Sequence, residues 1–256
     1  MGYCRTRCLF RTIMLFLSGV AMTQAVAGEV SLGVAANFTE TADDLAERFE
    51  ADTGHRAIVS TGSTGKLYAQ IRNGAPYDVF MAADARRPAL IEQAQAGVTG
   101  TRFTYARGKL VLWSPAPNAF ENAEDYLSRQ PFARLAMANP KTAPYGLAAQ
   151  QVLENLGHWQ ALQGKLVRGD SIAQAFQFVV SGNAQAGFVA LSQVKSWDDD
   201  EGTLWKVPQA YYQPIDQQAI LLNRGAGNEA ARTWMDFLKS DTAIAIIRDY
   251  GYDTAD

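Results

Sequence analysis

The chain has 256 residues, 48% of them hydrophobic, and 26 acidic against 23 basic side chains, for a net charge of −3. That is apolar material for one large core or two smaller ones, and the acidic balance excludes nucleic acid and anionic membrane surfaces as partner classes. Both cysteines, Cys4 and Cys8, fall within the first 27 residues, so the rest of the chain offers no thiol, disulfide or Cys-metal site.

In chain order, residues 1–27 read first, as a secretory signal peptide. Arg5, Arg7 and Arg11 form a positive start, Ile13 to Met22 is mostly apolar, and Ala25-Val26-Ala27 is a small-x-small cleavage site. The apolar run is too short to span a bilayer. Its removal takes three arginines and no acid, moving the net charge from −3 to −6 and leaving a chain expected to be soluble. Strand-like Glu29 to Ala35 follows, with Val30, Leu32 and Val34 on alternate positions, then a helix from Thr39 to Thr53. Its apolar face is Ala42, Leu45, Ala46 and Phe49, and Gly54 ends it. Arg56 to Ser60 predicts a second strand, Thr64 to Asn73 a helix, Asp78 to Ala82 a short buried strand and Pro88 to Gln95 another helix. This βαβαβα order is the pattern of an α/β layer fold.

A second set opens with a strand at Leu110 to Trp113. Strands follow at Leu135 to Ala138, Lys165 to Val167 and Ala186 to Ala190, with helices at Tyr145 to Leu156 and Ser171 to Val180 between them. Gln218 to Leu222 is a last strand, and Glu229 to Tyr250 two further helices that need a sheet to pack on. Returning the chain to the first lobe satisfies them. The expected architecture is therefore two α/β lobes, residues 28–109 plus 221–256 and residues 110–220. Two extended crossings join them, and a cleft lies between.

The most informative stretch is Ser60-Thr61-Gly62-Ser63-Thr64-Gly65-Lys66-Leu67, between a strand and a helix. Such a turn leaves N–H groups and hydroxyls aimed at the positive end of the helix that follows, an anion cradle without formal charge. A nucleotide-binding P-loop fails on spacing, because it needs Gly at position 60 and Ser or Thr at 67, where this chain has Ser60 and Leu67. A plain capped helix behind a flexible turn is the other reading. Three more junctions carry similar chemistry: Ala35-Ala36-Asn37-Phe38-Thr39, Pro140 to Gly146 and Gly169-Asp170-Ser171-Ile172. Two lie in each lobe, beyond the strand ends where open α/β sheets bind ligands. Lys66 and Lys141 suit solvated faces, and Asp78 and Asp84 suit caps around the third strand. Asp198-Asp199-Asp200-Glu201 suits a solvated loop. His55 and His158 lack metal-ligand spacing, and no Gly-x-Ser-x-Gly is present.

These segments resemble the periplasmic molybdate-binding proteins of ABC importers. Ala35-Ala36-Asn37-Phe38-Thr39 resembles the family's Ala-Ala-Ser-Leu-Thr, and Gly62 to Leu67 its Ser-rich turn. Gly74-Ala75-Pro76-Tyr77-Asp78-Val79-Phe80-Met81-Ala82-Ala83-Asp84 is similar to its Gly-Ala-Pro-x-Asp-Leu-Phe-x-Ser-Ala-Asp, and Pro140 to Gly146 to its Pro-x-x-x-Pro-x-Gly helix start. The resemblance implies a two-lobed periplasmic binding protein, a monomer and not an enzyme. It would need no cofactor, hold molybdate or tungstate by uncharged hydrogen bonds, and pass it to a membrane permease. It places Asn37 at the first hydroxyl position, Thr64 at the second, and Tyr145 and Ile172 as backbone N–H donors, with Ser63 a further ligand-binding candidate in the same turn as Thr64. Two departures stand out. Asn37 replaces a Ser and offers an amide instead, and Ala190 stands where many members have an anion-binding Tyr, whose hydroxyl Tyr145 would replace. Sulfate, phosphate or another small oxyanion is the alternative ligand, and a secreted hydrolase using Ser63 or Thr64 the alternative class.

Overall fold

The computed structural model describes residues 1–2, 27–197 and 202–254. The expected signal peptide (except for its ends) and the acidic run at 198–201 lie outside the described residues.

The first lobe opens with β1 (Glu29–Ala35), α1 (Thr39–Thr53), β2 (Arg56–Gly62), α2 (Thr64–Arg72), β3 (Val79–Ala82), α3 (Arg86–Gln93) and β4 (Phe103–Gly108). Helix α1 buries Ala42, Leu45 and Phe49, spaced three and four apart, and stops at Gly54. Gly54 adopts φ +73, and its N–H closes the last turn on the Glu50 carbonyl at 2.8 Å.

At Lys109 the chain crosses to the second lobe. There it forms β5 (Leu110–Ser114), α4 (Ala123–Arg129), β6 (Leu135–Ala138), α5 (Pro144–Asn155), α6 (Trp159–Leu162), β7 (Leu166–Gly169), α7 (Ile172–Val180), β8 (Ala186–Ala190), α8 (Leu191–Lys195) and β9 (Thr203–Lys206). It then returns as β10 (Ile215–Leu221), α9 (Glu229–Phe237) and α10 (Asp241–Asp249).

Two five-stranded mixed sheets result, in the orders β2-β1-β3-β10-β4 and β7-β6-β8-β5-β9. In the first sheet β1 runs parallel to β2 and β3, and β10 runs antiparallel to β3 and β4. The fold is thus the two-lobed α/β arrangement that the strand-helix pattern predicts. The return crossing is earlier than residue 221, because β10 already pairs with β4 from Ile215. Its first half carries little hydrophobic signal for a physical reason. Asp216 faces outward to Arg107 at 2.6 Å, and Gln217 is polar yet wholly buried.

Each sheet is covered on both faces. Val30, Leu32, Val34, Val79 and Met81 pack with α1 and α9, around Phe49 and Trp234, while Phe80 and Ile220 pack with Leu67 of α2 and Ile91 of α3. Fully burying a side chain of this size contributes about 1.5–3 kcal/mol. The second lobe's core reaches across the cleft, since Ala35, Ala36 and Ala83 of the first lobe pack with Ala138, Ala143, Tyr145 and Ile172 of the second. The lobes are therefore in contact.

Candidate functional site

Four strand-to-helix junctions meet where the lobes touch. Thr64 opens α2, Tyr145 is the second residue of α5 after Pro144, and Ile172 opens α7. A first-turn N–H has no intrahelical carbonyl to bond, so each of these residues presents a donor at the positive end of its helix. The three starts are tied together across the cleft. Gly65 N–H donates to the Thr142 carbonyl at 2.8 Å, Lys66 Nζ meets Asp170 at 2.6 Å, and Thr142 Oγ1 donates to the Asp170 carbonyl at 3.3 Å. The donor-rich turns predicted from sequence thus converge.

Thr64 and Ser63 are buried. Thr64 Oγ1 accepts the Ala83 N–H at 3.1 Å. A hydroxyl whose oxygen is already engaged keeps its proton to donate. Ser63 Oγ is buried and bonds nothing among the described residues. It makes no cap to its own helix either. An orphan hydroxyl of this kind calls for a partner from outside the chain.

Asn37 is buried too, but its side chain does not serve as expected. Both amide hydrogens are engaged, donating to Gln217 Oε1 at 2.8 Å and Tyr252 Oη at 3.1 Å. The residue is held further through its main chain, whose carbonyl accepts from Tyr252 Oη at 2.7 Å and from Ser192 Oγ at 3.0 Å. The side-chain N–H assigned to the anion on sequence grounds is therefore internal to the protein.

Tyr145 is 1% exposed, and its hydroxyl has no partner. Burial pushes the phenol well above its usual range, helped by the neighbouring Tyr252, Tyr212 and Tyr105. It remains a neutral donor at any physiological pH. Ala190 is wholly buried at the end of β8 and supplies no hydroxyl. Ile172 buries its side chain and offers main-chain groups only, its carbonyl held by Gln193 Nε2 at 3.3 Å.

Formal charge stays at the rim. Lys66 pairs with Asp170 where both are exposed, and Arg87 pairs with Asp84. Asp78 and Asp84 are structural: Asp78 accepts from the Ser31 N–H and from Arg224, and Asp84 caps α3 through the Arg87 N–H. His55 accepts the Gly28 N–H through Nδ1 at 2.9 Å, away from Ser63. Among the described residues no cluster of three or more His, Cys, Asp or Glu is placed to hold a metal ion. A cavity of about 310 Å³ opens between the lobes beside Asn37, lined among others by Thr39, Glu40, Phe176 and Gln177. Its lining includes the acidic Glu40 and none of Ser63, Thr64, Tyr145 and Ile172, so it is a poor seat for an anion.

Three participants were not legible in the sequence: Gln217, Ser192 and Tyr252. Each lies far along the chain from Asn37. Tyr250-Gly251-Tyr252 belongs to the family resemblance without a role attached, and the Gln pair inside a strand, at Gln217-Gln218, reads as solvent-facing until the bulge between those residues is seen.

Two α/β lobes closing on converged, uncharged donors define a solute-binding protein of the two-lobed class. Residues 30–253 match the bacterial extracellular solute-binding protein family. The chain is 49% identical to the molybdate-binding protein ModA of Azotobacter vinelandii, over 95% of this chain and 97% of that one. It is 46% identical to ModA of Rhodobacter capsulatus, over 95% of each. The solved periplasmic molybdate-binding protein of Azotobacter vinelandii superposes with a TM-score of 0.85 at 40% identity, covering 89% of this chain and 100% of that one. The chain belongs to this family of bacterial solute-binding proteins.

Proposed function

We propose that this chain is a periplasmic binding protein that captures molybdate, and tungstate with it, and delivers the anion to an ABC importer in the membrane. The observation that carries the reading is the convergence of buried neutral donors, with Ser63 Oγ and Tyr145 Oη left without partners among the described residues. The names and identities of the relatives support the choice of anion. The site set is Ser63, Thr64, Tyr145 and Ile172, with Asn37 contributing its main chain.

A hydrogen bond to a charged group contributes about 1.5–3 kcal/mol net. Six or seven of them, less the cost of closure and ordering, reach the roughly −8 to −10 kcal/mol of a micromolar or tighter binder. Neutral donors avoid the desolvation penalty of a buried ion pair. They also select against protonated anions, whose hydrogen would meet only donors. Molybdate and tungstate are nearly equal in size and should share the site. Sulfate is smaller and falls short of some donors. The oxyanion is cargo rather than cofactor, and the protein acts as a monomer without catalysis, its membrane partner being the permease. A secreted chain with a cleaved leader fits this role, and among the described residues no helix is long and apolar enough to cross a membrane.

Thermal unfolding with each anion tests the assignment. At about 1,000 times Kd a ligand stabilises the fold by about 4 kcal/mol. Molybdate and tungstate should raise the melting temperature, and sulfate and phosphate far less. Equal shifts for sulfate and molybdate would remove the selectivity.

A further inference from the structure

Gln217 is 0% exposed, at the bulge where β10 changes register against β4. Its amide oxygen is held on one side, accepting from Asn37 Nδ2 at 2.8 Å and from Tyr105 Oη at 3.4 Å. Tyr252 fixes which way both amides point. Its one hydroxyl proton goes to the Asn37 main-chain carbonyl at 2.7 Å or to Ser192 Oγ at 2.8 Å, so toward the Asn37 side chain it acts only as an acceptor, and the atom facing it is the amide nitrogen. The other hydrogen of that nitrogen then meets the oxygen of Gln217, which leaves the Gln217 NH₂ as the end of that amide without a partner.

Gln217 Nε2 is buried and bonds nothing among the described residues, like the Tyr145 hydroxyl. The two orphans border one point. A methyl group built on Gly108 would lie 2.0 Å from Tyr145 Oη and 3.2 Å from Gln217 Nε2. Gly108 ends β4 at the crossing between the lobes, so Gly at this position keeps room for both donors. An oxyanion oxygen accepts two such bonds and brings no proton of its own.

We infer that Gln217 is a direct ligand-binding residue, donating from Nε2 to the same oxyanion oxygen as Tyr145 Oη. Asn37 is then a positioning residue through its side chain, holding the Gln217 oxygen so that the nitrogen faces the anion. The inference rests on the oxyanion reading above. It adds a donor that comes from the hinge strand rather than from a helix start.

The test compares the parent, Gln217→Met and Gln217→Glu by calorimetric titration with sodium molybdate at pH 8 and pH 6. Gln217→Met keeps the volume and removes the donor, so Kd should rise tenfold or more at both pH values. Gln217→Glu keeps an oxygen for Asn37 and Tyr105 but turns a carboxylate oxygen toward a dianion. It should bind worse than Gln217→Met at pH 8 and recover part of the loss at pH 6 as the buried carboxyl takes up a proton. The titratable groups facing position 217 are the phenols of Tyr105, Tyr145 and Tyr252, with the Asp84 carboxylate beyond Tyr105. The phenols stay protonated over this range, so the parent should be flat. If Gln217→Glu binds no worse than Gln217→Met and shows no pH dependence, Gln217 only braces Asn37 or holds an ordered water, and the inference is overturned. Unchanged affinity in both variants overturns it as well. Should either variant fail to fold, the side-chain ¹⁵N resonances of Gln217 in the parent decide: they should shift on adding molybdate, and no shift ends the inference. A parent that binds sulfate as tightly as molybdate would instead refute the proposed selectivity, whatever the variants do.

Discussion

At the scale of single residues, the candidate site holds buried donors without partners among the described residues. Thr64 illustrates the arrangement. Ala83 engages its oxygen, which leaves the hydroxyl proton and the main-chain N–H able to donate to a ligand. Thr64→Val keeps the shape and removes the hydroxyl, leaving one anion lone pair without a donor. Affinity should fall about ten- to a hundred-fold, which is about 1.5–3 kcal/mol, and a titration showing unchanged Kd would take Thr64 out of the site. Tyr145→Phe removes a phenol that is buried and unpartnered among the described residues. Molybdate binding should weaken about ten-fold or more, while unliganded melting barely changes because the hydroxyl bonds no protein group. If the Phe variant binds as tightly as the parent, Tyr145 contributes only its N–H. The helix starts themselves were readable in the sequence, because Ser, Thr and Gly mark a strand-to-helix turn, although the same residues also serve as plain helix caps. Asn37 was half readable. Its place was plain, but its amide is engaged by Tyr252 and Gln217, partners that no local pattern reveals.

At the scale of elements, helix starts must approach one another closely, and small residues permit it. Gly65 is one case: a methyl group there would stand 2.9 Å from the Thr142 carbonyl oxygen and 3.0 Å from its Cα, across the cleft. Both contacts are backbone atoms of the other lobe, so neither can swing aside. Gly65→Ala should keep α2 intact, since Ala favours helix over Gly, and hold the lobes apart at their point of contact. The expected result is a loss of molybdate affinity of ten-fold or more with unliganded melting equal to or above the parent's. Full affinity in this variant would show that the Gly65–Thr142 contact is not needed for binding. Elements with strong periodicity, such as β1 and α1, and short runs buried throughout, such as β6 and β8, were legible almost to the residue. Strands β4 and β9 were not. In β9 the side chains alternate between half-buried and exposed, and β4 mixes Arg107 and two half-buried residues into a short run ending in glycine. Helices α4 and α8 are seven and five residues long, too short for a 3.6-residue period to stand out.

At the scale of the whole molecule, closing the lobes removes phenols from water, and this gives closure a pH dependence. Tyr105, Tyr145 and Tyr252 are buried around the crossings. All three are raised from the ordinary value of 10.0, Tyr252 to about 12, with burial as the leading cause in each. A phenol in an open cleft or an unfolded chain ionises near 10, whereas in the closed form it stays protonated. The closed form is therefore fully stable below pH 10 and loses stability as pH rises toward the folded values, because the alternative states release protons first. Tyr145 differs from the other two because it belongs to the second lobe and shares a core cluster with Ala35, Ala36 and Ala83 of the first, whereas Tyr105 and Tyr252 lie in the first lobe. Opening the cleft alone should free it to ionise, before the fold is lost. Molybdate affinity should be flat from pH 8 to about 9.5 and should then fall by up to ten-fold per pH unit, as release of a single proton requires. Circular dichroism should still report a folded chain over the first part of that fall. In Tyr145→Phe the absolute affinity is lower, but the early part of the alkaline loss should vanish, leaving only the later decline that accompanies unfolding. Affinity constant to pH 11, or an alkaline fall of the same shape in the Phe variant, would show that closure does not depend on keeping this phenol protonated.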